Sequence, residues 1–315
     1  MNLFKIKKGD IVDVISPATA CNKEEILQIK NLLKENGLRA NIFFEKETTL
    51  SKKQDHEFSS FAAKDRFLQF KNSVENSNSK IVWCSRGGYG SDEILSFLEK
   101  MPKPKNKKIF IGFSDISSLN KILIEKWNWQ VVSAPVLVQM TYKKVLENSQ
   151  KAIFDLIFGK TKLLKYQLIS LNKLPVKLKP TIVTGGCISV LSGSFGTKNQ
   201  LDWKNKILFL EDEGESGERL DRYFKQIISI ILEQKKFPAA IILGNFLESN
   251  PHGSVKAKNI EIAFEKFAKN LTEKNIKIPL LLEKSHCLGH SKNMLPLILG
   301  KEIEINGKLE LLQKI

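Results

Sequence analysis

The feature that most constrains this 315-residue sequence is an alternation of short β-rich runs with amphipathic helical stretches over roughly its first 140 residues. The runs "DIVDVISPA", "RANIFF", "KIVWCS", "KIFIGF" and "QVVSAP" are separated by "NKEEILQIKNLLKENGL", "SSFAAKDRFLQFKNSVEN", "SDEILSFLEK" and "SDISSLNKILIEKW". Apolar residues recur at helical spacing in the second set, and β-formers cluster in the first. Strands alternating with helices predict a parallel, doubly wound sheet. Asn22 and Glu25 read as an N-cap and N3 pair, with Gly37 just past the end of that helix.

Residues 160 to 180, "KTKLLKYQLISLNKLPVKLKP", break the pattern with two prolines and many lysines. They read as a linker, giving a first domain over 1–160, a linker over 161–180 and a smaller, β-rich mixed domain over 181–315. In the second part, "ILFLEDEGES" and "AAIILGNF" read as strands, "RLDRYFKQIISIILEQK" as a long helix, and a further helix falls near residues 258 to 274.

Fifty Lys and Arg against 34 Asp and Glu give a net charge of +16. The lysines are scattered in short runs such as "KPKNKK", so they read as a solvated basic surface rather than a nucleic-acid stripe. Cys21, Cys84, Cys187 and Cys287 show no C-x-x-C pairing, which argues against a zinc ribbon or redox motif and suits a reducing compartment. No secretory leader and no apolar run of membrane-spanning length is read from the sequence, so a cytoplasmic location without a membrane partner is expected.

In an open parallel sheet, ligands gather at the carboxyl ends of the strands. Three segments fall there: "SPATA", "SRGGYGSDE" and "GFSD". "RGGYG", Arg86 to Gly90, could cradle a phosphate, serve as an oxyanion hole, or form a tight turn; it matches neither the dinucleotide nor the P-loop pattern. Ser114 in "GFSD" is either a helix cap or a nucleophile, although Ile116 occupies the place of the last glycine in G-x-S-x-G. Of the four histidines, His56 and His252 read as loop residues. His290 follows a glycine near the polar end of an apolar run, and His286 four residues earlier would complete a metal pair only on a helix, which the intervening Gly289 disfavours. Glu211, at the end of "ILFLE", could orient a histidine or simply begin a charged loop with Asp212 and Glu213.

Six segments in order, "ISPATA", "RGGYGSDEIL", "IGFSDISSL", "GGCISVLSGSFGT", "LFLEDEGESGERLDRYF" and "GHSKNMLPLILG", resemble the serine-type LD-carboxypeptidases, a family that includes the microcin C immunity peptidases. The resemblance implies a flavodoxin-like N-terminal domain supplying a nucleophile, Ser114, and a smaller β-rich C-terminal domain supplying Glu211 and His290. It implies no metal or cofactor, and a cytoplasmic homodimer acting on murein tetrapeptides. The oxyanion donors expected with it are the backbone of Asp115 with Gly87 or Gly88. Arg86 and Tyr89 are the expected substrate contacts, Arg86 holding a carboxylate or bracing its loop through an ion pair. Two positions depart from the family pattern: Cys187 replaces an Asn, and Ser133 to Pro135 replaces a Gly-Pro loop. The activity implied is release of the terminal D-alanine during cell-wall recycling. The alternatives are cleavage of aminoacyl-nucleotide conjugates by the same triad, or a non-catalytic protein using "RGGYG" as an anion cradle.

Overall fold

The computed structural model describes residues 4–45, 61–247 and 258–315. His56, His252 and the Ser59 and Ser60 start expected for the second helix lie outside the described residues. The chain divides into two compact units, Met1–Lys162 with Leu295–Leu297 and Ile315, and Leu163–Met294 with Ile298–Lys314.

The first unit is built on β1 (Ile11–Ile15), β2 (Arg39–Ile42), β3 (Ser79–Cys84), β4 (Ile109–Ile111) and β5 (Val131–Ser133). They pair in parallel in the order β2-β1-β3-β4-β5, and the segment Leu297–Leu299 closes the far edge beside β5. This is the flavodoxin-like order expected from the sequence, with the direction of winding reversing between β1 and β3. Its central strands are buried almost throughout, as a parallel sheet covered on both faces requires.

The helix Lys23–Glu35 begins with the anticipated capping box, Asn22 and Glu25 each bonding the other's backbone N–H. It ends on Gly37, whose φ of +75° is readily open only to glycine. The single helix expected after "GFSD" is instead a tight 3-10 turn, Ser114–Leu119, followed by a wide π-helical turn, Lys121–Lys126. The wide turn lets the Trp127 N–H bond the Ile122 carbonyl at 2.9 Å while the Trp127 indole packs on Phe70 and Trp129.

The remaining strands are β6 (Leu163–Ser170), β7 (Leu178–Cys187), β8 (Ile207–Glu213), β9 (Ala240–Leu247), β10 (Leu280–Glu283), β11 (Leu297–Leu299, the edge segment of the six-stranded sheet), β12 (Glu302–Ile305) and β13 (Glu310–Lys314). Seven of them close a barrel in the order β10-β6-β13-β12-β7-β8-β9. β7, β8, β9 and β10 run parallel, and the remaining pairings are antiparallel. Closure removes the open edges of this β-rich unit.

The stretch expected as a linker is therefore largely sheet. In β6, Leu164, Tyr166 and Leu168 point inward, and Lys165, one of the lysines that suggested a linker, lies on the outer face of this alternating strand. Helices Gly217–Gln234 and Lys258–Glu273 pack against each other through Phe224 and Phe267, whose rings stack 4.4 Å apart. Among the described residues no helix is long and apolar enough to cross a membrane.

Not every lysine is solvated. Lys108, the last residue of "KPKNKK", is 2% exposed and reaches Asp13, which is fully buried on β1, at 3.2 Å. The Lys108 ammonium also donates to the Asn76 carbonyl and the Ser79 hydroxyl, while Asn41 and Asn76 donate to the Asp13 carboxylate. Burial pulls the Lys108 pKa below its ordinary value, against the charge of Asp13. Lys108→Met would strand a buried carboxylate and should cost about 3–5 kcal/mol of unfolding free energy. Adding Asp13→Asn should restore most of that loss. A single-variant loss below about 1 kcal/mol in chemical denaturation would show that the pair does not secure the sheet.

Candidate active site

The turn after β4 sets Ser114 in an unusual backbone. Phe113 is extended and buried, and Ser114 then has φ of +64°, a left-handed conformation that costs a non-glycine residue on the order of 1 kcal/mol. Gly112 permits the turn: a Cβ there would meet Ile116 Cγ2 at 2.9 Å and Cys84 Sγ at 3.1 Å. The result is a sharp strand-to-helix turn carrying a half-buried serine.

The glycine loop after β3 lies directly against it. A Cβ on Gly87 would stand 3.0 Å from Ser114 Cβ, 3.2 Å from its Oγ and 3.7 Å from the Asp115 nitrogen. Gly88 has φ of +106°, and a Cβ there would fall 2.0 Å from Thr19 Oγ1. Thr19, from "SPATA", donates its N–H to the Gly87 carbonyl at 3.2 Å, and its hydroxyl accepts from the Tyr89 N–H at 3.2 Å. Ser91 closes the other side, its N–H donating to Asp115 Oδ2 at 2.8 Å and its hydroxyl to the Asp115 carbonyl at 2.6 Å. Burial raises the Asp115 pKa against these donors. The three strand-end segments singled out in the sequence thus meet in one knot.

Arg66, which sequence reasoning missed, holds that knot from beneath. Its side chain is fully buried and donates to the carbonyls of Phe61, Pro17 and Gly90 while pairing with Glu93. Nothing local in "AAKDRFLQF" marks it, because apart from the nearby Phe61 carbonyl its partners lie on two other segments. Arg86 pairs with buried Glu25, the capping-box glutamate, so its bracing role is the one visible. The Tyr89 side chain is 54% exposed.

In the second unit, Glu211 on β8 is 1% exposed and His290 is 6% exposed. One carboxylate oxygen of Glu211, Oε2, lies 2.6 Å from His290 Nδ1 and accepts the His290 backbone N–H at 3.0 Å. Gly289, with φ of +99°, makes this approach possible: a Cβ there would sit 2.6 Å from Glu211 Oε2. The register of β8 against β9 shifts between Leu210 and Asp212, with the extra residue on β9, where Gly244 and Asn245 stand opposite Glu211. Asn245 on β9, also missed, donates its amide to the His290 carbonyl and its N–H to the Leu288 carbonyl. Its only trace in the sequence was a polar residue near the end of "AAIILGNF".

Burial opposes charge on His290, but the charge and hydrogen bond of Glu211, with Glu213 and Asp212 beyond, outweigh it and raise its pKa. Asp212 accepts the Ser189 N–H at 2.7 Å and lies 3.4 Å from the Cys187 thiol. Burial pushes Asp212 up to about 6 despite the Ser189 donor, with Glu211 adding to the rise. Cys187, at the position of the family Asn, is thus a neutral donor to Asp212, its own pKa driven well up by burial. His286 sits exposed on a turn with φ of +52°, so it shares no helical face with His290. Among the described residues no cluster of three metal-ligating side chains occurs.

Residues 12–134 match the LD-carboxypeptidase N-terminal domain, and residues 181–305 match the LD-carboxypeptidase C-terminal domain. A Rickettsia prowazekii protein named "Putative carboxypeptidase RP402" is 32% identical over 241 residues, 75% of this chain and 72% of that one. A Bacillus subtilis protein named "Probable murein peptide carboxypeptidase" is 26% identical, covering 70% of this chain and 68% of its own. The fold is shared with an MccF-like protein of Bacillus anthracis, at TM-score 0.79, 20% identity and 98% coverage of each chain. It is shared also with a muramoyltetrapeptide carboxypeptidase of Oxalobacter formigenes, at TM-score 0.77, 21% identity, 97% coverage of this chain and 99% of that one. With both of its domain matches in chain order and spanning most of the sequence, this chain belongs to the LD-carboxypeptidase family and is a peptidase.

Proposed function

We propose that this protein is a serine peptidase that hydrolyses the amide between a dibasic residue and the terminal D-alanine of murein tetrapeptides, acting in the cytoplasm as a homodimer during cell-wall recycling. The observation that carries this reading is the buried Glu211–His290 pair, in which one carboxylate oxygen fixes both the ring and the backbone of the histidine. A buried carboxylate on Nδ1 leaves Nε2 as the proton acceptor, the arrangement a general base needs.

In the proposed reaction, Ser114 Oγ attacks the scissile carbonyl while His290 Nε2 takes its proton. Collapse of the tetrahedral species breaks the C–N bond, the imidazolium returns that proton to the departing D-alanine amine, and an acyl-serine remains. Water, deprotonated by His290, then releases the shortened peptide and regenerates Ser114. The N–H of Asp115 and one from Gly87 or Gly88 are the proposed oxyanion donors. The close approach of Gly87 to Ser114 and to the Asp115 nitrogen supports that assignment. Arg86 serves first as a brace to Glu25; in this reading its outer edge receives the substrate carboxylate, and Tyr89 lies against the peptide.

A second reading uses the same groups on an aminoacyl-nucleotide conjugate. It is favoured by a 24% identity to the Microcin C7 self-immunity protein MccF of Escherichia coli across 95% of this chain.

Ser114→Ala should reduce D-alanine release at least about 10⁴-fold, and Glu211→Gln by about 10³ to 10⁴-fold, with folding intact by circular dichroism. Undiminished turnover by Ser114→Ala would sink the serine mechanism, and faster turnover of an aminoacyl sulfamoyl adenylate than of the tetrapeptide would favour the second reading. His290 must be neutral to accept the serine proton. Since its pKa lies above the ordinary histidine value of 6.5, kcat/KM should fall with decreasing pH through a midpoint above 6.5. An acid limb below 6.5 would show that burial, not the field of Glu211, governs His290 in the free enzyme. Sedimentation equilibrium should give twice the chain mass of 35.8 kDa, and a monomer mass would remove the dimer from this reading.

A further inference from the structure

The run Glu211, Asp212, Glu213 looked in the sequence like the charged start of a loop, yet its three carboxylates go to three different places. The pleat of β8 sends residues two apart to the same side. Glu211 and Glu213 accordingly both meet His290, while Asp212 turns to Ser189 and Cys187. Glu211 holds Nδ1 at 2.6 Å; Glu213 Oε2 stands 3.6 Å from Nε2, the nitrogen that must take the serine proton.

The two glutamates differ in burial. Glu211 has a side-chain exposure of 1% and Glu213 of 55%. The first is locked, whereas the second is free to turn toward solvent or an incoming group. Left where it stands, Glu213 favours the imidazolium and so opposes the base it adjoins. Among the charged groups acting on the ring are Glu211, Asp212 and Glu213 of β8, all raising its proton affinity. The Cys187 thiol of β7, next to Glu211 and Asp212, stays neutral.

We propose that Glu213 is a specificity-determining residue that receives an ammonium group of the substrate and, in pairing with it, withdraws its charge from His290 Nε2, so that a cationic substrate frees the general base. The N–H bond at Nε2 breaks with its electron pair left on the nitrogen, the proton passes to solvent, and no other covalent bond changes. The ligand chemistry is a primary amine close to the scissile amide, supplied by a lysine or diaminopimelate side chain, or by the α-amine of an aminoacyl conjugate. The inference rests on the serine-peptidase reading above.

Two measurements separate the failure of either. The first needs no turnover: the His290 titration followed by ¹⁵N NMR in Ser114→Ala should move to lower pH when Glu213→Gln is added. In Ser114→Ala alone, a lysine-bearing tetrapeptide should lower it, and the Nε-acetyl-lysine analogue should not. The second compares kcat/KM for the two peptides. The native enzyme should prefer the lysine peptide by about three- to fivefold, the scale of a partly exposed ion pair, and Glu213→Gln should abolish the preference. If neither peptide is cleaved, the tetrapeptide reading fails, and the same comparison passes to an aminoacyl sulfamoyl adenylate with free and acetylated α-amine. A His290 midpoint unmoved by Glu213→Gln, or equal preference in both enzymes, overturns the proposal.

Discussion

A buried carboxylate against a buried imidazole is the interaction around which the second unit is arranged. Glu211 could not sit at 1% exposure without a partner, because desolvating a lone carboxylate costs several kcal/mol. His290 supplies two donors to one oxygen, and the surrounding chain is shaped to let it do so. At Gly289 any side chain would push against Glu211; the extra residue in β9 falls opposite Glu211, and Asn245 ties down the carbonyl of the histidine itself. Each of these features is unfavourable or neutral by itself. Together they hold one ring in one orientation, which is the preorganisation that a general base requires.

The first unit reaches the same end by opposite means. Ser114 is held in a left-handed backbone by neighbours that leave it little choice: Gly112 below it, Gly87 beside it and Asp115 anchored by Ser91 after it. The glycine loop is in turn pinned by Thr19 and, through the Gly90 carbonyl, by Arg66. Arg66 replaces water for three backbone carbonyls that a loop fold leaves pointing inward, so a fully buried guanidinium is satisfied rather than stranded. Strain at the serine is thus balanced by hydrogen bonds made ten or more residues away in the chain.

These two designs explain what could be read from the sequence. The parallel sheet was legible because strand and helix periods alternate locally, and the capping box at Asn22 and Glu25 because its two members are three residues apart. The strand-end loops were legible as a group because topology alone sends "SPATA", "RGGYG" and "GFSD" to one sheet edge. What escaped was long-range or alternating in character. The β6 strand hid among flanking lysines and its own outward Lys165, and Lys108 was counted with a surface run although it pairs with Asp13, 95 residues earlier. Arg66, Asn245 and the split roles of Glu211 and Glu213 depend on pairings that no local pattern encodes. Glu211 itself left two readings open until a resemblance to known motifs chose between them.

The split roles follow from one geometric fact, that a strand presents alternate residues to alternate sides. Three acids in succession cannot share one environment on β8, so the pleat assigns them different burial and different donors. Asp212, buried with a backbone N–H and a thiol, has its pKa raised to about 6, stays largely ionised at neutral pH and adds to the charge that favours the imidazolium. Glu211, buried with the histidine, is held in one position by the Nδ1 and backbone N–H of His290. Glu213, past the edge of the core, remains adjustable. An imidazole placed beside such a run experiences one constant field and one that a bound cation can cancel, and a single β-strand is enough to build both.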